Sequence, residues 1–230
     1  MNNVGAFKNK VPLIEIIRKY KTPLYCIALV HQLGEIKYPS YSWFNNPTKS
    51  DSTVENNINA ILRHFSAHRM GQTVDPESKL PHVFHMACRA GMMITTLYRE
   101  MSSNFRALNE MHKPVYVEND NIGAYITGEE LYSLSKNIDD VGHTPEVLEP
   151  AINSLLFNYA LHTWTVEGDE WFELKSKYDT LFVCVLKYVD YYCNHGLIEK
   201  LYEGKDQYPE KVIKTIEVLG EQYGCHRQDE

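Results

Sequence analysis

Between positions 58 and 98 the chain reads Arg63-His64-Phe65-Ser66-Ala67-His68, then Asp75-Pro76-Glu77-Ser78, then His82-Val83-Phe84-His85. Imidazole nitrogens and carboxylate oxygens in this density can hold a divalent cation. A mixed imidazole and carboxylate set suits Mn, Fe, Zn or Ni, whereas a carboxylate-dominated set suits Mg. A cation held there activates water and neutralises phosphate charge. Each histidine taken singly has a plainer account, as a cap or as part of a polar interior. Four on two adjacent helices favour a shared cleft. Asp75 or Ser78 equally suits a helix N-cap, with Pro76 in the first turn. Lys37, Tyr38 and Trp43 offer a wall on which a base can stack, with Lys37 and Arg63 reaching phosphates; a structural aromatic cluster explains the same residues. Asp169, Glu170, Glu173 and Asp179 form either a carboxylate face for Mg or a solvated helix surface.

Two helices must position the histidines. Ile58, Ile61, Leu62 and Phe65 recur at i, i+3, i+4 and i+7, which predicts a helix ended by Gly71. On it His64 and His68 stand one turn apart beside the apolar stripe, and Arg63 points elsewhere. A second helix begins between Asp75 and Pro81 and continues to about Met101. Its stripe of Val83, Ala87, Ala90, Ile94 and Leu97 or Tyr98 faces a core, and His82, His85 and Arg89 form a separate polar stripe.

Upstream, Pro12 to Tyr20 reads as a short amphipathic helix, and Thr22 is placed to cap another from Pro23 to Ile36. Pro39 breaks that helix within the aromatic-rich stretch Lys37 to Phe44, and the polar, aperiodic Asn45 to Asn57 reads as a flexible connection. Ser102 to Gly142 is less regular: Val115-Tyr116-Val117 and Ala124-Tyr125-Ile126 suit a small hairpin, Gly128 to Leu131 a short helix, and Asp139 to Pro145 a loop. Glu149 to Thr163 and Asp169 to Asn194 predict a second helical hairpin with its latter helix central, closed by His195-Gly196. Tyr208 to Gly224 is a last amphipathic helix. The expected fold class is all-α: a helical bundle of two helical hairpins, with room for one small β-hairpin in the middle. Residues 1–110 and 146–230, joined by an irregular 111–145, form one compact unit. Ile58-Asn59-Ala60-Ile61-Leu62 and Ile152-Asn153-Ser154-Leu155-Leu156 align without gaps, each with a histidine ten residues on (His68 and His162), an echo that a pseudo-symmetric core would explain.

Composition bounds the function classes. Lys+Arg 23 against Asp+Glu 30 gives a net charge of −7, which argues against binding a nucleic-acid polymer by its backbone. No run of apolar residues is long enough to span a membrane, and the N-terminal residues do not read as a signal peptide. The five cysteines, at 26, 88, 184, 193 and 225, show no Cys-x-x-Cys spacing and read as buried thiols in a cytoplasmic protein. There is no phosphate-cradling glycine loop, dinucleotide fingerprint, serine elbow or cysteine-protease signature, and no His-Asp dipeptide of the metal-phosphohydrolase type.

The order Gly34-x-x-Lys37-Tyr38, Trp43, Leu62-Arg63-His64-x-x-Ala67, Gly71, Asp75-Pro76-Glu77-Ser78-x-Leu80-Pro81-His82-x-x-His85-x-Ala87-Cys88 resembles the dATP/dGTP diphosphohydrolase N-terminal domain family, common in bacteriophage genomes. The resemblance covers about Leu24 to Tyr98. It implies a helical, MazG-like enzyme of nucleotide metabolism that cleaves a (deoxy)nucleoside triphosphate to the monophosphate and pyrophosphate with a divalent metal, Mg or Mn. It further implies a homo-oligomer in the host cytoplasm with a nucleotide as partner. Carried over by position, Glu77, His82 and His85 would be catalytic. His64, Asp75, Glu77, His82 and His85 would bind metal, and Lys37, Tyr38 and Arg63 substrate; Trp43 and Arg89 are further candidate substrate contacts read from the residues themselves. Three positions depart from the family: Gln72 stands where Glu is usual, Lys79 where Gly is usual, and Arg89 where Asn is usual; an upstream Lys-x-Asp-x-Gly-Lys stretch typical of the family is also not recognisable before Val11. Arg89 would repel a cation or bind phosphate. The departures also fit a protein that binds and sequesters a nucleotide or host signal without turnover, and histidines that merely satisfy a core would fit a structural or interaction protein.

Overall fold

A computed structural model describes residues 20–39, 53–111, 143–161 and 170–225. Its helices are α1 (Lys21–Lys37), α2 (Val54–Arg69), α3 (His82–Met111), α4 (Pro145–Leu161), α5 (Glu170–Tyr192), α6 (Ile198–Glu203) and α7 (Glu210–Gln222). The described residues form no sheet, only an isolated bridge between Val74 and Pro81. The all-α expectation holds; the suggested β-hairpin, the Pro12 to Tyr20 helix apart from Tyr20, and Trp43 lie outside the described residues.

α3 sits at the centre, with α1, α2 and α5 packed on it, α4 on α5 and α7 on α1. A helix covered from several sides must be apolar over most of its girth, and Val83, Phe84, Met86, Ala87, Ala90 and Met93 are all buried. The core continues through Ile61 and Phe65 of α2, Leu181, Val185, Leu186 and Val189 of α5, and Val212, Ile216 and Leu219 of α7. α5 is central, as its apolar sequence predicts.

Several boundaries differ from the sequence reading. α2 begins at Val54, inside the stretch read as a flexible connection. The Thr53 hydroxyl accepts the Asn56 N–H at 3.2 Å, and buried Asn57 donates to the Thr53 carbonyl at 2.9 Å. A good cap thus starts a helix in sequence that is polar and aperiodic. Thr22 does not cap α1, which grows from the buried Tyr20 carbonyl through Leu24 N–H at 3.2 Å. Pro23 is tolerated in the first turn, where its missing N–H would have no partner, and the Thr22 hydroxyl instead accepts from Tyr223. α3 starts only after Pro81 and runs to Met111 rather than about Met101. No Gly or Pro interrupts positions 102–111, and Pro114 is the first breaker beyond.

Gly71 does end α2. It has φ +85, its N–H donates to His68 O at 3.0 Å, and the Gln72 N–H reaches Ala67 O at 3.0 Å. This is the paired reverse hydrogen bonding of a left-handed C-terminal cap. Gly196, at φ +88, breaks the chain after α5, and α6 follows at once.

Candidate active site

The loop between α2 and α3 is a closed, hydrogen-bonded turn. Asp75 N–H donates to Leu80 O and Lys79 N–H to Asp75 O, each at 2.9 Å. His82 N–H donates to Thr73 O at 3.0 Å, tying the loop to the first turn of α3. Asp75 caps this turn and not the helix: its Oδ1 accepts the Ser78 N–H at 2.8 Å, the Glu77 N–H at 3.2 Å and the Ser78 hydroxyl at 3.0 Å. Burial alone would raise the Asp75 pKa, but the hydrogen bonds from Ser78 together with the neighbouring His85 and His64 hold the carboxyl below its ordinary value. Asp75 is a fixed anion pointed at the histidines.

His64 Nδ1 and His82 Nδ1 stand 2.8 Å apart, and the His64 ring stacks on His85 at 4.8 Å between centroids. One ligand atom from each of His64, Asp75 and His82 falls within 4.8 Å of the others. Without a cation, the 2.8 Å contact requires one ring to donate its Nδ1 proton to the other. His82 Nε2 is buried and has no hydrogen-bond partner. Leaving a buried polar atom unsatisfied costs about 1–3 kcal/mol.

The imidazoles are held neutral. Burial, then the neighbouring His85, His82 and Arg63, lower the His64 pKa from 6.5 to about 3. Burial lowers that of His85 to about 4, with His82 and Arg89 adding to the effect and Asp75 opposing it. Burial also lowers His82. Neutral rings with available lone pairs are the form that binds metal. Two imidazole nitrogens on adjacent corners of an octahedral ion, each bonded at about 2.1 Å, lie about 3.0 Å apart, close to the spacing already present. The donor set therefore fits a divalent cation, and two nitrogens beside one carboxylate weight it toward Mn over Mg.

Other expected site residues are placed differently. His68 does not join the cluster: it packs edge-on against Tyr192 and Tyr188, at 4.6 and 5.7 Å between centroids. α5 claims that turn of α2. His85 is beside the cluster, but its Nε2 is 2.6 Å from the Ser78 hydroxyl. Since that hydroxyl donates to Asp75, His85 is the donor to Ser78. Glu77 is exposed and ion-paired with Lys37. Arg63 is exposed, Tyr38 is 62% exposed at the end of α1, and the Arg89 guanidinium reaches Asn57 Oδ1 at 3.4 Å. The side chains of Asp169, Glu170, Glu173 and Asp179 lie outside those described. Ser78 is the site residue that sequence reading undervalued; its only signal was its place in Asp75-Pro76-Glu77-Ser78.

The segment carrying this geometry has a recognisable kinship. Residues 5–105 match the family described as dATP/dGTP diphosphohydrolase, N-terminal. The match covers less than half of the chain and extends beyond Leu24 to Tyr98 on both sides. No curated protein and no solved structure matches the chain. Lys79 has φ +62. Only glycine adopts that backbone freely, and here a lysine holds it.

Proposed function

We propose that this chain is a divalent-metal-dependent hydrolase that cleaves a (deoxy)nucleoside triphosphate to the monophosphate and pyrophosphate. The observation that carries the reading is the convergence of neutral His64 and His82 on the fixed carboxylate of Asp75, within a segment that matches a nucleotide-hydrolase family. His64, Asp75 and His82 would hold the cation, Mn or Mg, which when bound would lower the pKa of water and neutralise phosphate charge.

The chain's own residues supply the rest. His85, Ser78 and Asp75 form a directed hydrogen-bond chain that fixes the carboxylate's orientation. Lys37 is exposed and paired with Glu77, so an arriving phosphate competes for its ammonium. That exchange frees the Glu77 carboxylate beside the cluster, where it can orient the attacking water and accept its proton. Arg63 and Arg89 would serve as further phosphate partners, and Tyr38, exposed at the end of α1, would offer a ring on which a base stacks. The reading places the protein in phage-type nucleotide metabolism in the host cytoplasm, acting as a homo-oligomer.

Purified protein incubated with Mn or Mg and each dNTP should release pyrophosphate and the monophosphate. Asp75→Asn and His82→Ala should each abolish release. Turnover that survives both substitutions would sink the site assignment. Arg89, whose charge bears on His85, gives a second reading its footing: intact nucleotide bound without turnover would identify a sequestering protein.

A further inference from the structure

The loop that presents Asp75 contains a backbone conformation unfavourable to its own residue. Lys79 has φ +62, and among the described residues it is the non-glycine position with positive φ. A left-handed conformation disfavours residues with a Cβ, so an isolated loop of this sequence would tend to turn Lys79 back to negative φ. The consequence would reach Asp75 directly. Lys79 N–H is bonded to Asp75 O, and Asp75 N–H to the carbonyl of Leu80, which follows Lys79. Rotating the Lys79 backbone breaks this pair and releases the turn whose N–H groups and Ser78 hydroxyl orient the Asp75 carboxylate.

A residue far along the chain opposes that rotation. The Tyr208 hydroxyl donates to the Lys79 carbonyl at 2.7 Å, across a sequence separation of 129 residues. Tyr208 is 7% exposed and sits between the short turn Lys205–Gln207 and α7. Its N–H is bonded to Lys205 O at 3.0 Å, and Val212 and Ile213 N–H bond to the adjacent Pro209 O. The donor is therefore mounted on a rigid corner. It also lies outside the 5–105 family match.

We propose that Tyr208 is a positioning residue for the site, pinning Lys79 in its left-handed conformation so that Asp75 faces His64 and His82. The inference rests on the reading of those three residues as a cation site. It makes the C-terminal part of the chain a contributor to a site whose ligands all lie in the N-terminal part. It also explains how lysine is accommodated where glycine would need no help.

The test uses the full chain in four forms: wild type, Tyr208→Phe, Lys79→Gly and the double variant. Mn2+ affinity is read by electron paramagnetic resonance and calorimetry, and protection of the Asp75 and Lys79 amides by hydrogen exchange in metal-free buffer. Tyr208→Phe should weaken Mn2+ binding about tenfold, as expected when a support of a metal ligand is lost, and speed exchange of both amides. In the Lys79→Gly background the same substitution should change affinity less than about twofold, because glycine holds the conformation unaided. Equal losses in the two backgrounds would overturn the proposal, as would unchanged exchange in Tyr208→Phe. If wild type binds no Mn2+, the cation-site reading fails on its own, and the exchange data still decide whether Tyr208 pins the loop.

Discussion

Protonating the histidine cluster should destabilise the fold in a window set by His64. This residue is 8% exposed, and its pKa falls from 6.5 to about 3 in the folded protein. From pH 6.5 downward the unfolded chain binds a proton at this position that the native protein refuses. Stability contributed by the neutral ring is thus complete above the unfolded pKa and is lost as pH falls toward the folded one. A difference of one proton is worth about 1.4 kcal/mol per pH unit. Over the roughly two units down to about pH 4.5, before most carboxylates titrate, this one histidine should cost about 2.7 kcal/mol. Urea unfolding of metal-free wild type and His64→Gln between pH 7 and 4.5 measures the effect. His31 and His68 also have lowered pKa values and their contributions largely cancel in the comparison, whereas His82 and His85 touch His64 and titrate coupled to it, so the difference reports the cluster. Wild type should lose about 2–3 kcal/mol more than the variant across this range. If it loses no more, the ring is not held neutral in the fold.

Lys37→Ala should leave the melting temperature unchanged, because its ion pair with Glu77 lies on the surface. It should raise KM for the triphosphate in steady-state assays, and an unchanged KM would remove Lys37 from phosphate capture. Gly71→Ala meets no neighbour within 4 Å but inherits φ +85. Its cost should therefore be backbone strain of about 1–2 kcal/mol, measured by urea unfolding, with Gly71→Asn costing less.

The helical hairpin around the site was legible because its signals are local. The spacing of Ile58, Ile61, Leu62 and Phe65 marks one helix, Gly71 ends it, and the stripe from Val83 to Ile94 marks the other. The lengths of those helices were less legible. Thr53 capped a stretch that looked like loop, and polar residues after Met101 continued α3 simply because nothing interrupted it. Asp75-Pro76-Glu77-Ser78 identified the loop, but not that Asp75 caps its own turn, since a short polar side chain caps helices and turns by the same hydrogen bonds.

Residue types and periodicity determined that imidazoles and carboxylates would gather near one helical pair. Tertiary packing decided which of them meet. Burial of Val83, Phe84 and Ala87 sets the rotation of α3 that brings His82 and His85 to His64, while Tyr188 and Tyr192 of α5 draw His68 away. The bond from Tyr208 to Lys79 had no trace in local sequence. A hydrogen bond across 129 residues exists only because the whole core brings α7's leading corner to that loop, and no periodicity or motif encodes such a distance.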